Sequence, residues 1–99
     1  MAKQLQVLPA AEEDLEAIFA YGVESFGFDR AFAFLEKFQR AFSLLCEFDL
    51  GSVFDDFSID IELRRYVVEG YVIFFKRTHD FITIVRVLHG SQDVEKQFS

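Results

Sequence analysis

The chain has 99 residues, 52% of them hydrophobic and 17% aromatic, and carries a net charge of −7. That composition excludes disorder, and the length suits one domain, residues 1–99, with a real core and a modest stability margin. No apolar run reaches the ~18 residues a membrane helix needs, and no secretory leader is expected at the N-terminus.

Charge is unevenly placed. Residues 1–62 hold 13 acidic and 4 basic side chains, and residues 63–99 hold 4 and 6. The plain reading is a solvated acidic helix surface. The sharper one is an acidic face and a mildly basic sheet that serve different partners. On either reading direct nucleic-acid binding is not expected, because phosphate affinity needs clustered Lys and Arg. Cys46 is the one cysteine, so it has no internal disulfide partner. It falls within a helical pattern and reads as a small buried hydrophobe, in keeping with a cytoplasmic protein. One Cys and two His make no metal set of their own, although carboxylates are available as further ligands. No metal or cofactor is expected.

In chain order, residues 3–8 alternate Leu5 and Val7 with Gln4 and Gln6, the pattern of a short edge strand. Pro9 ends it and suits the first position of a helix. Leu8 is a poor cap, but Glu12, Glu13 and Asp14 favour the positive end of the helix dipole. Ala11, Leu15, Ile18, Phe19 and Gly22 form one helical stripe, which predicts a helix ending near Glu24. Asp29 is the expected cap of a second helix. Ala31, Phe34, Leu35, Phe38, Ala41, Phe42 and Leu45 repeat at helical spacing and read as core. The short connection predicts an antiparallel helix hairpin laid on one face of a sheet. Phe28 and Phe32 lie off the main stripe.

Residues 48–62 turn at Gly51-Ser52 and are acidic through Asp55, Asp56, Asp60 and Glu62, with Phe54, Phe57 and Ile59 placed to pin the segment to a sheet edge. Three runs rich in Val, Ile, Phe and Tyr follow, at residues 63–68, 71–77 and 81–89. Glu69-Gly70 and Thr78-His79-Asp80 are the turns between them. The expectation is α+β: an N-terminal strand, a two-helix antiparallel hairpin and an antiparallel β-meander. Residues 91–98 suit a helical turn or a tail, with Val94 and Phe98 on one surface.

Catalytic signatures are lacking. Cys46, Ser52, Thr83 and Ser91 sit in no nucleophile context, and there is no phosphate-binding glycine loop. The cations of the meander are Arg64, Arg65, Lys76, Arg77 and Arg86. Arg64 and Arg65 point to opposite faces, as do Lys76 and Arg77, so only some converge. Arg86 stands in an apolar run and needs a partner, for which Asp93 or a backbone carbonyl would serve. His89 ends the last strand. It reads as a structural strand-end group before it reads as a general acid or base.

Several stretches together carry a resemblance. They are Leu8-Pro9-Ala10-Ala11-Glu12-Glu13-Asp14-Leu15, Phe26-Gly27, Leu63-Arg64-Arg65-Tyr66, Tyr71-Val72-Ile73-Phe74-Phe75 and Arg86-Val87-Leu88-His89-Gly90-Ser91-Gln92-Asp93. In order and spacing they resemble the ParE branch of the RelE/ParE toxin superfamily of bacterial toxin–antitoxin modules. The resemblance implies a plasmid-stabilising, non-enzymatic toxin that binds and inhibits DNA gyrase and is neutralised by a wrapping ParD-type antitoxin. Contact with the target falls to Arg64, Arg65, Lys76, Arg77, Arg86 and His89, and contact with the antitoxin to Glu12, Glu16, Phe28 and Phe32. Two alternatives stay open. One is a ribosome-dependent mRNA endonuclease of the RelE branch using Arg65, Lys76, Arg86 and His89. Against it, Asp55-Asp56-Phe57 replaces a basic loop and Gly90 follows His89 where that branch has a Tyr. The other is a non-toxic interaction module, suggested by the 14 Phe residues and by Phe48, Phe54 and Phe57 where the family is richer in Pro and Arg.

Overall fold

In the computed structural model, residues 2–54 and 63–90 are described. The expectations placed on the Phe54 side chain, on residues 55–62 and on residues 91–99 lie outside them. Strand β1 (Gln4–Val7) leads into helix α1 (Pro9–Phe26), then α2 (Phe28–Glu47), β2 (Ser52–Phe54), β3 (Leu63–Val68), β4 (Tyr71–Arg77) and β5 (Phe81–His89). The sheet order is β1-β5-β4-β3-β2. β1 runs parallel to β5 and every other pairing is antiparallel, so the predicted meander is the middle of a mixed sheet.

The helices join through a single residue. Gly27 has φ 90°, a conformation that costs an L side chain strain. Its N–H donates to the Val23 carbonyl at 3.0 Å and its carbonyl accepts from the Ala31 N–H at 3.1 Å, so it closes α1 and opens α2. Two expectations are corrected here. α1 continues to Phe26, beyond Glu24, and Asp29 is not the cap but a first-turn acid facing the dipole of α2. A reversal within one residue demands positive φ, and only glycine supplies that cheaply. Near the junction, a Cβ on Gly22 would stand 3.1 Å from the Ala31 Cβ, so two small residues let the helices cross closely.

The hairpin lies on one sheet face. Ala11 and Ile18 of α1 and Phe38, Ala41, Phe42 and Leu45 of α2 pack against Ile73, Phe75, Ile82, Ile84 and Val87. A second, smaller cluster of Leu63, Phe74 and Leu88 is buried on the other face. The central strand β4 is therefore buried on both sides at Ile73, Phe74 and Phe75, which accounts for its unbroken apolar run.

A bulge sets the facing of β5. Phe75 pairs with Ile84 but Phe74 pairs with Arg86, leaving Val85 as the extra residue. The alternation flips there. Ile82 and Ile84 face the helices, and after the bulge so does Val87. Without it, strict alternation would aim Arg86 into the apolar core.

Candidate functional site

The meander arginines are largely consumed by the fold. β1 stops at Val7 because Pro9 starts a helix, while β5 runs five residues beyond its last pairing with β1 at Ile84. Asp14, in the second turn of α1, fills the gap. It accepts the Val87 N–H at 2.9 Å and binds Arg86 two-pronged, from Nε at 2.7 Å and Nη2 at 2.9 Å. The Asp14 and Arg86 side chains are only 14% and 21% exposed. The hydrogen bonds to Asp14 raise the Arg86 pKa above the usual guanidinium value, against the pull of burial. Arg86 thus has the partner its surroundings require, and that partner is Asp14; Asp93 lies outside the described residues.

Arg77 donates to the Leu45 and Phe48 carbonyls at 3.2 and 3.1 Å and so satisfies the C-terminal end of α2. Asp49 lies between it and Arg64, at 3.7 Å from Arg77 Nε and 2.6 Å from Arg64 Nη1. Arg65 is exposed and Lys76 half-buried. His89 is exposed and meets the Tyr71 ring edge-on at 5.1 Å. With Asp14, Tyr21, Tyr71 and Val87 it lines a cavity of about 200 Å³.

Register separates the cations. Arg65, Phe74 and Arg86 form one row across the sheet, while Val68, Tyr71 and His89 form another three residues along β3, roughly 10 Å away. Lys76 lies opposite Thr83, two residues from the first row in the other direction. Arg65, Lys76, Arg86 and His89 do not share one row.

The helix hairpin displays its own chemistry. Glu12 and Glu16 are exposed and share an α1 flank with Phe19 by helical spacing. Phe19 meets Phe28 edge-on at 5.8 Å, and Phe28 stacks on Phe32 at 6.0 Å. Phe28 and Phe32 are 60% and 49% exposed. The four residues expected to meet an antitoxin thus belong to one side of the hairpin. Across the hairpin, Tyr21, Phe26, Arg30, Phe34 and Tyr71 line an apolar groove of about 270 Å³ over Gly22 and Ala31. Cys46 is buried, and desolvation pushes its thiol pKa up, so it is a packed side chain rather than a nucleophile. Among the described residues no group of three His, Cys, Asp or Glu side chains stands ready for a metal ion.

Pooling charge by halves of the sequence hid one feature. Arg30, Lys37 and Arg40, three of the four bases before residue 62, fall on one flank of α2. Their spacing of seven and three residues was the signal.

Two helices over one face of a mixed sheet, with most sheet arginines locked in ion pairs and aromatic groups displayed on the hairpin, define a small α+β domain. The chain belongs to the family described as "ParE toxin of type II toxin-antitoxin system, parDE", which matches residues 5–94. It is therefore a type II toxin. Its fold is similar to that of a solved structure from P. aeruginosa titled "Chromosomal ParDE TA system", with a TM-score of 0.75 and 18% identity over 89% of this chain and 96% of that one. No curated protein matches the chain.

Proposed function

We propose that this toxin inhibits DNA gyrase by binding it, without cleaving a substrate, and that a ParD-type antitoxin neutralises it. The observation that carries this is the state of the cations. Arg64, Arg77 and Arg86 are held by Asp49, by the end of α2 and by Asp14. Arg65, Lys76 and His89 are spread over rows of the sheet, which suits contact with a protein surface better than charge stabilisation at one scissile phosphate. The antitoxin's apolar segment lies over Phe28 and Phe32, and Lys or Arg side chains of that segment meet Glu12 and Glu16. The toxin acts in the cytoplasm, and the module stabilises the plasmid or chromosome segment that encodes it.

A supercoiling assay with purified gyrase tests the target, with filamentation on expression as the cellular counterpart. Loss of inhibition in Arg65→Glu supports the sheet as the contact. One observation favours a second reading: His89, Tyr71, Tyr21 and Asp14 share a cavity, as an acid–base group would. Codon-spaced mRNA cuts that vanish in His89→Ala would move the assignment to a ribosome-dependent endonuclease. Expression without growth arrest would make the chain a non-toxic interaction module.

A further inference from the structure

Two acidic residues hold sheet arginines, and they do so differently. Asp14 is 14% exposed and accepts three hydrogen bonds, from Arg86 and Val87. Asp49 is 69% exposed and accepts one, from Arg64 Nη1 at 2.6 Å, with Arg77 Nε at 3.7 Å from the same Oδ1. The first carboxylate is part of the fold. The second lies at its surface.

The two guanidinium groups beside Asp49 are placed by the sheet. Arg64 pairs with Phe75 across the β3–β4 ladder, and Arg77 stands two residues beyond Phe75 on β4, so both share its helix-facing side. Arg77 Nη1 is fixed by the Leu45 and Phe48 carbonyls. Asp49 has no such anchoring from its own element. It follows the C-terminal cap of α2, whose last turn holds Glu47 and no base, so the helix dipole and Glu47 both repel its carboxylate. An ion pair with so exposed a member adds little to stability. Exchanging that carboxylate for another therefore leaves the fold intact, and two guanidinium groups remain in place to receive the newcomer.

We infer that Arg64 and Arg77 form a recognition site for one carboxylate of a partner protein, an Asp or Glu side chain, and that Asp49 is its internal occupant, which swings out when the partner's group enters. A single carboxylate is favoured over a nucleic-acid backbone because a net charge of −7 repels a polyanion far more than one acid. Asp49 sets a threshold, since an incoming carboxylate competes with a tethered one. The site lies at the other end of α2 from Phe28 and Phe32. It does not depend on the gyrase reading, which rests its contact on Arg65, Lys76 and His89.

The probe is glutarate, titrated at low ionic strength into the isotope-labelled full chain, with NMR of the arginine Nε–H groups as the readout. Glutaramide is the uncharged comparison and inorganic phosphate the competing class of anion. In Asp49→Asn, glutarate is expected to shift the Arg64 and Arg77 signals and leave that of Arg86 in place. Its affinity should be about fivefold tighter than in the unaltered chain, because the internal competitor is gone. Adding Arg64→Gln to that variant should abolish the shifts. Asp49→Ser serves if Asp49→Asn folds poorly. The inference is overturned by no binding at tens of millimolar glutarate, by equal affinity with and without Asp49, by shifts centred on Arg65 or Arg40, by equal shifts with glutaramide, or by tighter binding of phosphate than of glutarate. None of those results bears on gyrase inhibition, which the supercoiling assay reads by itself.

Discussion

At the residue scale, Asp14 does the work of a missing strand. One carboxylate satisfies a guanidinium and a ladder N–H at a sheet edge where β1 has already ended. Truncation leaves Arg86 and the Val87 N–H short of partners in a partly buried site. Asp14→Ala is expected to cost about 2–3 kcal/mol in urea unfolding, because hydrogen bonds to charged groups are worth more than neutral ones. Asp14→Asn keeps an acceptor for Val87 and should lose less. Since the Arg86 pKa is raised, its contribution is fully present below the ordinary guanidinium value and is lost only above it. Arg86 should therefore add no slope to stability through the neutral range. Cys46 behaves differently. Burial raises its pKa, so the folded state holds the thiol proton more tightly than the unfolded chain does. Stability from this group is complete below the ordinary value of 9.0 and falls as pH rises from there through the raised value. Unfolding curves across alkaline pH should show that decline, and a thiol reagent should label native protein far more slowly than unfolded protein.

At the scale of elements, the hairpin depends on one glycine and one aromatic row. Gly27→Ala places a Cβ at φ 90° and ψ 165° with open space around it, so the penalty is backbone strain alone, about 1–3 kcal/mol. A melting point unchanged by that substitution would mean the junction relaxes. Phe38 is fully buried between α2 and the sheet, edge-on to Phe34 and Tyr71 at 5.2 and 5.7 Å. Phe38→Ala should cost about 3–5 kcal/mol, and Leu35→Ala less, because Leu35 is only partly buried. Both positions belong to the same helical stripe in the sequence. Their difference in burial follows from which side of that stripe meets β4, and no local pattern records it.

Across the whole molecule, charge is arranged by surface rather than by position along the chain. Glu12 and Glu16 occupy one flank of the hairpin, Arg30, Lys37 and Arg40 another, and the sheet arginines are mostly tied inward. A partner that wraps such a molecule meets alternating fields and must match each in turn. Charge reversal at Glu12 and Glu16 to Lys should slow association with a ParD-type antitoxin and change its salt dependence, since charges at an interface act mainly on encounter. Stopped-flow mixing at two ionic strengths measures both. On the sheet, Arg65→Glu is a cleaner reversal than Arg64→Glu. Arg64→Glu also breaks the bridge to Asp49 and so changes the fold's own contacts.

The helix stripes, the Pro9 start, the Glu69-Gly70 turn and the three meander strands are all legible in the sequence, because each is a local pattern of period 3.6, period 2 or backbone conformation. The cations and exposed aromatics were legible as residue types. What each touches was not. Asp14 is 72 residues from Arg86, Asp49 is 15 from Arg64, and Leu45 is 32 from Arg77. Only the parallel pairing of β1 with β5, and the bulge at Val85, bring Asp14 and Arg86 to one edge. Likewise, among the described residues, β2 is three residues long and pairs with only half of the six-residue β3. Pairing length and register are set by the energy of the whole sheet packed against its helices, and a chain read residue by residue carries no term for them.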